Sequence, residues 1–413
     1  MQSLPPEAGG ISGFVFPNEY ELHWGLLIVV YPYLTGLVAG AFILASLERV
    51  FKVQALQPIY RLSLLTALSF MIVAPLPLLA HLGHPERALE MFLTPHTSSA
   101  MAMFGFVYAW YLAVVLLLEI WFDYRCDIVN WSKQKKGLAK VFYNILTLGV
   151  KDISERAVQF DNKIGKFITI IGIPSAFLLH GYVGFIFGSI KANPWWSSVL
   201  MPIVFLFSAI VSGIALVILV YMVTSLFRWK SINMACLDKL AELLLYAIIV
   251  DFSLELLDFI HRLYESEESI NILSQMISGR LFISLIITQI TIGTIIPALS
   301  IVMVRTRSVH AELRRILYFI AAILVQVGIF STRWNVVIGG QLFSKSLRGL
   351  TVYKLDLLGP EGLLMAGALL ILPFIILYVL TKLLPPWPQS EQDSISGDEG
   401  GRTHDAIALV KAS

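Results

Sequence analysis

Residues 180–196 read HGYVGFIFGSIKANPWW and close an apolar run that begins near Gly165. The run is long enough to cross a bilayer, which takes about 20 apolar residues in a helix. It places His180 and Tyr182 just inside a membrane boundary and two tryptophans just beyond it. Tyr and Trp are common in aromatic belts, and a buried His can form hydrogen bonds between helices. The rest of the chain decides whether these residues are structural or functional.

The composition is that of an integral membrane protein. The 413 residues are 57% hydrophobic and only 14% charged, with a mean hydropathy of +0.76, whereas soluble domains carry about 25% charged residues. We therefore predict an all-α polytopic membrane protein with two parallel four-helix transmembrane bundles and one extra helix. The nine predicted spans are about 24–47, 60–82, 98–121, 165–190, 198–226, 238–264, 276–304, 314–338 and 361–384.

Basic loops alternate with neutral or acidic ones, as the positive-inside rule requires. The N-terminal segment has three Glu and no Lys or Arg before the first span, whereas loop 122–166 carries nine basic and five acidic residues. We expect a bacterial cytoplasmic (inner) membrane protein with its N-terminus outside and its C-terminus in the cytoplasm.

The predicted domains are an external segment 1–23, a first bundle 24–190 with cytoplasmic loop 122–166, a second bundle 198–338, a ninth transmembrane helix 361–384 and a disordered cytoplasmic tail 385–413.

The cysteine and histidine content limits the redox groups that the chain could hold. Cys126 and Cys236 stand alone, whereas iron–sulfur clusters and structural zinc sites each need about four ligands. Paired histidines on neighbouring helices can ligate haem, and His81 and His180 could form one such pair. The inner half of the first bundle has no histidine, which excludes a haem chain across the membrane. We expect no haem, iron–sulfur cluster or metal site, with one outer haem as the open alternative.

Ionisable groups inside a span cost roughly 2.5–3.5 kcal/mol each on insertion scales, so each suggests a function. The predicted sixth span contains DFSLELLDFIHRLY, in which Asp251, Glu255 and Asp258 fall on one helical face. Arg262 or His261 extends this row, and Arg333 in the eighth span is the natural counter-charge. Two interpretations of this row stay open. Its residues could form ion pairs that join the helices, or they could form a proton path towards the outer side.

The carboxylate row extends only about 10 Å and cannot reach the cytoplasm by itself. Other spans must supply the inner half of any proton path. Candidates are Ser212 and Thr224 in the fifth span and Gln326 in the eighth.

Histidines gather at the predicted outer rim of the first bundle. The residues at this depth are His23, His81, His84, His96, His180 and Tyr182. A pocket there could bond the two carbonyls of a quinone and exchange its protons, since the ordinary pKa of His near 6.5 suits both roles. We predict a quinone site lined by His23, His81, His180 and Tyr182.

Several motifs carry a family resemblance. HWG and YPYLTGLVAG in the first span, LGHPER after the second, HGYVGFIFGSIKANPWW, RWNVVIGGQ and a late GPEG occur in this order. They resemble the NrfD/polysulfide-reductase (PsrC-like) family of membrane subunits over almost the whole chain. Within that family they are most similar to the branch associated with sulfite reduction.

The resemblance implies a subunit that binds menaquinone or ubiquinone. It implies electron exchange with a ferredoxin-like iron–sulfur subunit on the outer (periplasmic) face, beside other membrane and cytochrome subunits. His23 and Tyr182 match quinone-contacting residues of the family, and Tyr20 replaces an amide of some members. His81 and His84 depart from a common Asp and Arg, so His81 would take over the role of that Asp. The lipid bilayer is a further partner, and we expect no nucleic acid.

The predicted function is that of a quinone-interacting membrane subunit of a respiratory redox complex in sulfur metabolism. It would not be catalytic alone, and proton translocation stays open. One alternative is the membrane subunit of another quinone reductase complex, of the QrcD or hydrogenase type. A second is an ion or solute secondary transporter that uses the carboxylate row, and a third is a structural anchor.

Overall fold

A computed structural model describes residues 12–19, 22–96, 98–228, 231–265, 270–307, 309–359 and 361–387. Two short strands, β1 (Ser12–Phe14) and β2 (Arg348–Leu350), pair antiparallel. The α-helices are α1 (Leu26–Arg49), α2 (Tyr60–Val73), α3 (Leu76–His81), α4 (Glu90–Leu93), α5 (Ala100–Trp110), α6 (Leu118–Gln134), α7 (Gly137–Leu146), α8 (Glu155–Gly188), α9 (Met201–Phe227), α10 (Met234–Glu265), α11 (Ile270–Gln275), α12 (Ile296–Thr306), α13 (Ala311–Trp334), α14 (Gly340–Leu342) and α15 (Leu363–Leu383). Four π-helical segments extend them, at Tyr111–Leu117, Met276–Arg280, Phe282–Ile295 and Asn335–Gly339.

Eight helical stretches of the described residues are long and apolar enough to cross a membrane. They are Leu26–Arg49, Gln54–His81, Met103–Gln134, Glu155–Gly188, Met201–Phe227, Phe282–Thr306, Ala311–Leu342 and Leu363–Leu383. The predicted sixth span, 238–264, lies in α10, which is 32 residues or about 48 Å long but richer in carboxylates. The protein is thus an all-α polytopic membrane protein. Most of the predicted tail 385–413, from residue 388 onward, lies outside the described residues, as do 1–11 and 20–21 of the predicted external segment.

Helix α1 lies at the centre of the molecule and is buried along most of its length. It crosses α9 where Gly40 faces Gly213, and a Cβ on either residue would collide with the backbone of the other helix. Gly293 and Gly328 make an equally close crossing between the Phe282–Ile295 segment and α13. Small residues allow such close approach between membrane helices, where packing replaces the hydrophobic effect as the driving force.

Two groups of helices meet along α1, α8 and α9. The group that we call the first bundle contains α1, α2, the continuous helix from α5 to α6, and α8. The second bundle contains α9, α10, the helix that runs from Phe282 into α12, and α13. Helix α15 packs against α2. We name the two ends of the molecule after the residues at the ends of α1, the His23 end and the Arg49 end.

The predicted loop 122–166 is largely helical, because α6 and α8 continue into it on either side of α7. Several of its charges form ion pairs. The side chain of Arg61 in α2 lies 2.8 Å from Asp123, and that of Arg125 lies 2.6 Å from Asp161. These ion pairs join α6 to α2 and to α8 beyond the predicted apolar spans.

The His23 end of α1 is held by the segment 340–361. The Gln341 side chain accepts a hydrogen bond from the Trp24 N–H at 3.0 Å and donates one to the Trp24 carbonyl at 2.8 Å. The Tyr353 hydroxyl accepts a hydrogen bond from the Leu26 N–H at 3.1 Å. Residues from late in the chain thus cover the entrance to the first bundle.

Candidate functional site

Three histidines of the predicted rim do not lie inside the bundle. His23 is exposed and lines a shallow pocket at the rim. His84 and His96 are also exposed. Although the sequence places these histidines at the same depth in the membrane, they do not line one buried pocket. Tyr20, the fourth candidate near this rim, lies outside the described residues.

His81 forms a contact that its position in the sequence could not reveal. Its Nδ1 lies 2.5 Å from Oε1 of Glu361, the glutamate of the GPEG motif. The Glu361 carboxylate also lies against Gly25, where a Cβ would collide with it. The side chains of His81 and Glu361 are 23% and 42% exposed. The pair can therefore exchange protons with water at the His23 end while it contacts the start of α1.

His180 and Tyr182 face opposite sides of α8, because residues two positions apart in an α-helix differ by about 200°. His180 is fully buried at the boundary between the bundles. Its Nε2 accepts a hydrogen bond from Arg333 at 3.1 Å, and its Nδ1 lies 3.3 Å from the Thr35 hydroxyl. Both ring nitrogens are thus engaged. The structure separates His180 from Tyr182, with which we had expected it to line one pocket.

Tyr182 instead joins a group of rings inside the first bundle, the tyrosine cluster, which consists of Tyr31, Phe104, Tyr108 and Tyr182. The centroid of the Phe104 ring lies 5.5 Å from Tyr31, 4.7 Å from Tyr108 and 5.9 Å from Tyr182. The rings of Tyr31 and Tyr108 stack at 6.5 Å. Tyr31 is five residues beyond the first residue of α1, or about 8 Å along its axis. The cluster therefore lies close to the His23 end.

The hydroxyls of Tyr31 and Tyr108 are buried and have no hydrogen-bond partner among the described residues. An unsatisfied buried polar group costs about 1–3 kcal/mol, so native proteins rarely retain one unless water or a ligand occupies the site. A phenolic O–H can donate a hydrogen bond. A flat ligand with carbonyl oxygens would satisfy both hydroxyls and pack against the rings.

Similar groups continue from the tyrosine cluster towards the Arg49 end. The hydroxyls of Tyr111 and Ser63 and the Oε2 atom of Glu119 are buried without a partner among the described residues. The other carboxylate oxygen of Glu119 accepts a hydrogen bond from Thr169 at 2.7 Å and one from Tyr60 at 3.4 Å. We call this series the first polar line, which consists of Tyr31, Tyr108, Tyr111, Ser63 and Glu119.

Glu119 was not among the residues predicted to be functional. It lies in the predicted third span, 98–121, and is fully buried. The signal was available, since an ionisable group inside a span suggests a function. Nearby, Arg49 pairs with Asp123 at 3.3 Å at the end of the bundle. Glu119 thus lies between the tyrosine cluster and a charged rim.

A second series of polar side chains crosses the second bundle. Glu255 accepts a hydrogen bond from the Gln289 amide at 3.1 Å, and Gln289 accepts one from Asn335 at 2.7 Å. Asp258 forms an ion pair with Arg262 one turn further along α10. We call this series the second polar line, which consists of Asp251, Glu255, Asp258, Arg262, Gln289, Asn335 and Arg333.

Asp251 and Arg333 lie at the deep end of the second polar line. Arg333 donates a hydrogen bond to Ser208 at 2.6 Å and interacts electrostatically with Asp251 and Glu255. Its Nε and Nη1 atoms, like Oδ1 of Asp251 and Oε1 of Glu255, are buried without a partner among the described residues. Water molecules between these groups would satisfy them. His261, the remaining residue of the predicted row, is exposed.

Two of the three candidates for the inner half of a proton path meet. Gln326 donates a hydrogen bond to the Ser212 carbonyl at 2.7 Å and accepts one from the Tyr33 hydroxyl at 2.7 Å. Gln326 is seven residues before Arg333, or about 10 Å along α13. Thr224 donates its hydrogen bond to a carbonyl of its own helix. Gln326, Ser212 and Tyr33 thus form a polar group of their own about one and a half turns or more from Arg333 along α13, and Thr224 is not part of it.

A cavity with about 860 Å³ of empty space lies beside the second polar line. Its walls are mainly apolar, with Phe205, Phe252 and Leu285 among them, and Glu255 and Asn335 also line it. The atoms of Glu255 and Asn335 that lack partners among the described residues are both oxygens. Arg262 lines the same cavity, so its walls present a hydrogen-bond donor as well as these acceptors. Water molecules in the cavity would satisfy both oxygens.

Both polar lines pass through π-helical turns. Tyr111, Gln289 and Asn335 each lie in a π-helical segment. Such segments are rare and are found frequently at functional sites. Their coincidence with the two lines supports a functional role for both.

Comparison with known proteins identifies the family. The family model described as "Polysulphide reductase, NrfD" matches residues 15–345. The chain belongs to the NrfD polysulphide reductase family. This confirms the resemblance that the motifs indicated. The closer similarity to the sulfite-reduction branch stays a prediction.

Three relatives show the breadth of the NrfD family. The C subunit of selenate reductase from Mesobacillus selenatarsenatis is 34% identical over 323 residues, which are 76% of this chain and 73% of that protein. A protein of Halobacterium salinarum that is named as a dimethyl sulfoxide reductase membrane subunit is 29% identical over 224 residues, 54% of this chain and 48% of that protein. Protein NrfD of Escherichia coli is 26% identical over 202 residues, 48% of this chain and 59% of that protein.

Proposed function

We propose that this NrfD-family chain is the quinone-binding membrane subunit of a respiratory reductase complex. The tyrosine cluster carries the proposal, because Tyr31 and Tyr108 have buried hydroxyls without partners among the described residues. A quinone ring can stack against aromatic side chains, and its carbonyl oxygens accept hydrogen bonds from phenols. One quinone would thus stack against the rings of the cluster and accept the hydrogen bonds of its hydroxyls.

The proposed reaction transfers two electrons and two protons between quinone and quinol. The electrons pass to or from an iron–sulfur partner subunit docked at the His23 end, the end that lies nearer to the tyrosine cluster. Each carbonyl oxygen gains one proton when the quinone is reduced and loses it in the reverse direction. His81 and Glu361 exchange these protons with water, since both are partly exposed. Tyr31 and Tyr108 orient the ring and keep their own protons.

Glu119 gives the same site a second connection to water, towards the Arg49 end. Tyr111 and Ser63 lie along this route, and waters between them would complete a hydrogen-bonded chain. A carboxyl group can bind and release a proton, whereas the hydroxyls can only relay one. We propose that Glu119 is the titrating member of the first polar line.

We further propose that Asp251, Glu255 and Asp258 form part of a proton path in the second bundle. Asp251 and Glu255 each have a buried oxygen without a partner among the described residues, and Gln326 forms polar contacts about 10 Å from Arg333 along α13, which together support the path. Asp251→Asn and Glu255→Gln keep size and hydrogen bonding but cannot titrate. Both variants should assemble and bind quinone, yet lose proton movement coupled to turnover in proteoliposomes. Failure of both to assemble would make the carboxylates structural, and intact coupling in both would place the path elsewhere.

The proposed setting is the bacterial inner membrane, with the N-terminus outside and the His23 end facing the periplasm. Relatives that are named as subunits of selenate reductase and dimethyl sulfoxide reductase support the presence of partner subunits. They also support a terminal substrate that contains sulfur or selenium. We propose that such a substrate is reduced on a partner subunit and that this chain supplies the quinone chemistry.

The affinity of the purified complex for a short-chain quinone analogue tests the proposed site. Tyr31→Phe and Tyr108→Phe each remove one hydroxyl. Each should raise the Kd by about 5- to 10-fold, since a neutral hydrogen bond is worth about 1 kcal/mol. Tyr264→Phe, at an exposed position in the second bundle, is the matched control and should leave the Kd unchanged. Equal affinity in all three variants would remove quinone from the tyrosine cluster.

A further inference from the structure

A groove runs between α9 and α15 at the Arg49 end. It has about 1150 Å³ of empty space, and its walls are largely apolar, with Leu219, Val223, Phe374 and Leu377 among them. Val223 and Phe374 are exposed, so the groove opens to the side of the molecule. In a membrane protein this side faces lipid chains, which can enter an apolar groove without loss of hydrogen bonds. We call it the α9–α15 groove.

Two cations line the Arg49 end of this groove, Arg228 from the end of α9 and Lys382 from the last turn of α15. One Nη atom of Arg228 donates a hydrogen bond to the Thr381 carbonyl at 2.6 Å. The guanidinium also lies 5.7 Å from the ring centroid of Trp387. These contacts hold the side chain at the groove and leave most of its five N–H donors available.

Neither cation has an acidic partner among the described residues. The nearest interaction of Lys382 is with the ring of Tyr378, whose centroid lies 5.5 Å from Nζ. Arg61, by contrast, is paired with Asp123 and Asp127 at the same end. The α9–α15 groove thus joins an apolar channel to two positive charges that no carboxylate of the described residues pairs with.

We propose that the α9–α15 groove binds one anionic phospholipid, whose acyl chains fill the channel and whose phosphate lies between Arg228 and Lys382. The planar guanidinium matches the geometry of phosphate oxygens, and lysine adds a point charge. Basic pockets between transmembrane helices are suited to anionic lipid head groups. Because α15 packs mainly on α2, the lipid would join α15 to α9 and so connect the outlying helix to the second bundle.

Native mass spectrometry of the full-length protein, reconstituted with phosphatidylglycerol or phosphatidylcholine, tests the proposal. The wild type should retain one phosphatidylglycerol and at least 10-fold less phosphatidylcholine. Arg228→Gln combined with Lys382→Gln should lower retention of phosphatidylglycerol at least 10-fold. Lys135→Gln combined with Lys140→Gln removes the same charge from exposed positions at the same end and should change nothing. Equal retention in the two double variants would overturn the proposal.

Two further variants separate a lipid site from its alternatives. Val223→Trp fills the apolar channel without a change of charge and should also reduce phosphatidylglycerol retention, whereas unchanged retention would contradict occupation of the groove by acyl chains. Glu391→Gln combined with Asp393→Asn removes acidic groups that follow α15 in the sequence. If this variant retains as much phosphatidylglycerol as the wild type, the result supports a lipid site. If this variant retains phosphatidylglycerol and the wild type does not, the acidic segment of the chain itself is the partner of Arg228 and Lys382, and the proposal fails.

Discussion

The two bundles bury polar groups in different ways. In the first polar line, Tyr31, Tyr108, Tyr111 and Ser63 are neutral hydroxyls, and Glu119 is its one carboxyl. The second polar line contains three carboxylates and two arginines, partly joined by direct contacts. Neutral hydroxyls without partners among the described residues suit a neutral ligand, whereas buried carboxylates beside arginines can bind and release protons without a large net buried charge. The difference suggests that the quinone site and the carboxylate proton path lie in separate bundles.

Arg333→Ala should have the largest effect, because it leaves Asp251 and Glu255 without their buried counter-charge. Loss of one partner from a buried charge network costs about 3–5 kcal/mol. The free energy of unfolding of the detergent-solubilised protein measures this cost, and Arg333→Lys should recover part of it. A loss below about 1 kcal/mol for Arg333→Ala would contradict its role as the buried counter-charge of Asp251 and Glu255.

Glu119→Gln should act on turnover instead of stability. The amide can still accept the hydrogen bond from Thr169 but cannot exchange a proton, so quinone-coupled turnover should fall about 10- to 100-fold, at the low end for general acid–base catalysis. The Kd for quinone should not change. Initial rates in proteoliposomes measure the effect, with Glu155→Gln, an exposed glutamate at the start of α8, as the control. Normal turnover in Glu119→Gln would remove the proton role from the first polar line.

His81→Gln should have a smaller effect, because the His81–Glu361 pair is partly exposed. Water can take over part of the proton exchange at such a position, so turnover should fall only about 3- to 5-fold, less than for a buried acid–base group. His84→Gln is the matched control, since His84 forms a similar but more exposed contact with Glu86. Equal activity of the two variants would show that the pair takes no part in proton exchange.

His23→Ala should have the smallest effect on quinone affinity. The side chain is exposed, and substitutions at such positions usually change free energies by less than about 0.5 kcal/mol. The Kd should therefore change less than about 2.5-fold. A 10-fold increase would instead favour the resemblance to the family histidine and move the quinone from the tyrosine cluster towards the rim pocket.

Hydropathy and charge predicted the membrane class and the helices, even α10 with its row of carboxylates, because long apolar stretches have few alternatives in lipid. They could not fix which side of a helix meets which neighbour. His180 and Tyr182 share a depth, yet one contacts Arg333 and the other Phe104. The 200° between them is a property of any helix, but the position of the neighbouring helices is not readable from a single chain.

Contacts between residues far apart in the chain are the second feature of the site that the sequence could not predict. His81 meets Glu361 across 280 positions in the chain. Neither residue type nor spacing indicates that contact, because the segment 340–361 folds back over α1. Glu119 differs, since its place inside a predicted span was visible and only its importance was missed. Helices α6 and α8 also extend beyond the ends that hydropathy gives.

Photo-crosslinking of a photoactivatable quinone analogue to the native complex tests most directly which of the two bundles binds quinone. The labelled peptides are identified by mass spectrometry, and excess quinone serves as the competitor. We expect competed label in α5 and α8, which contain Phe104, Tyr108 and Tyr182, and none in α10. Competed label in residues 252–262 or 282–295, beside the cavity of the second bundle, would contradict quinone binding at the tyrosine cluster.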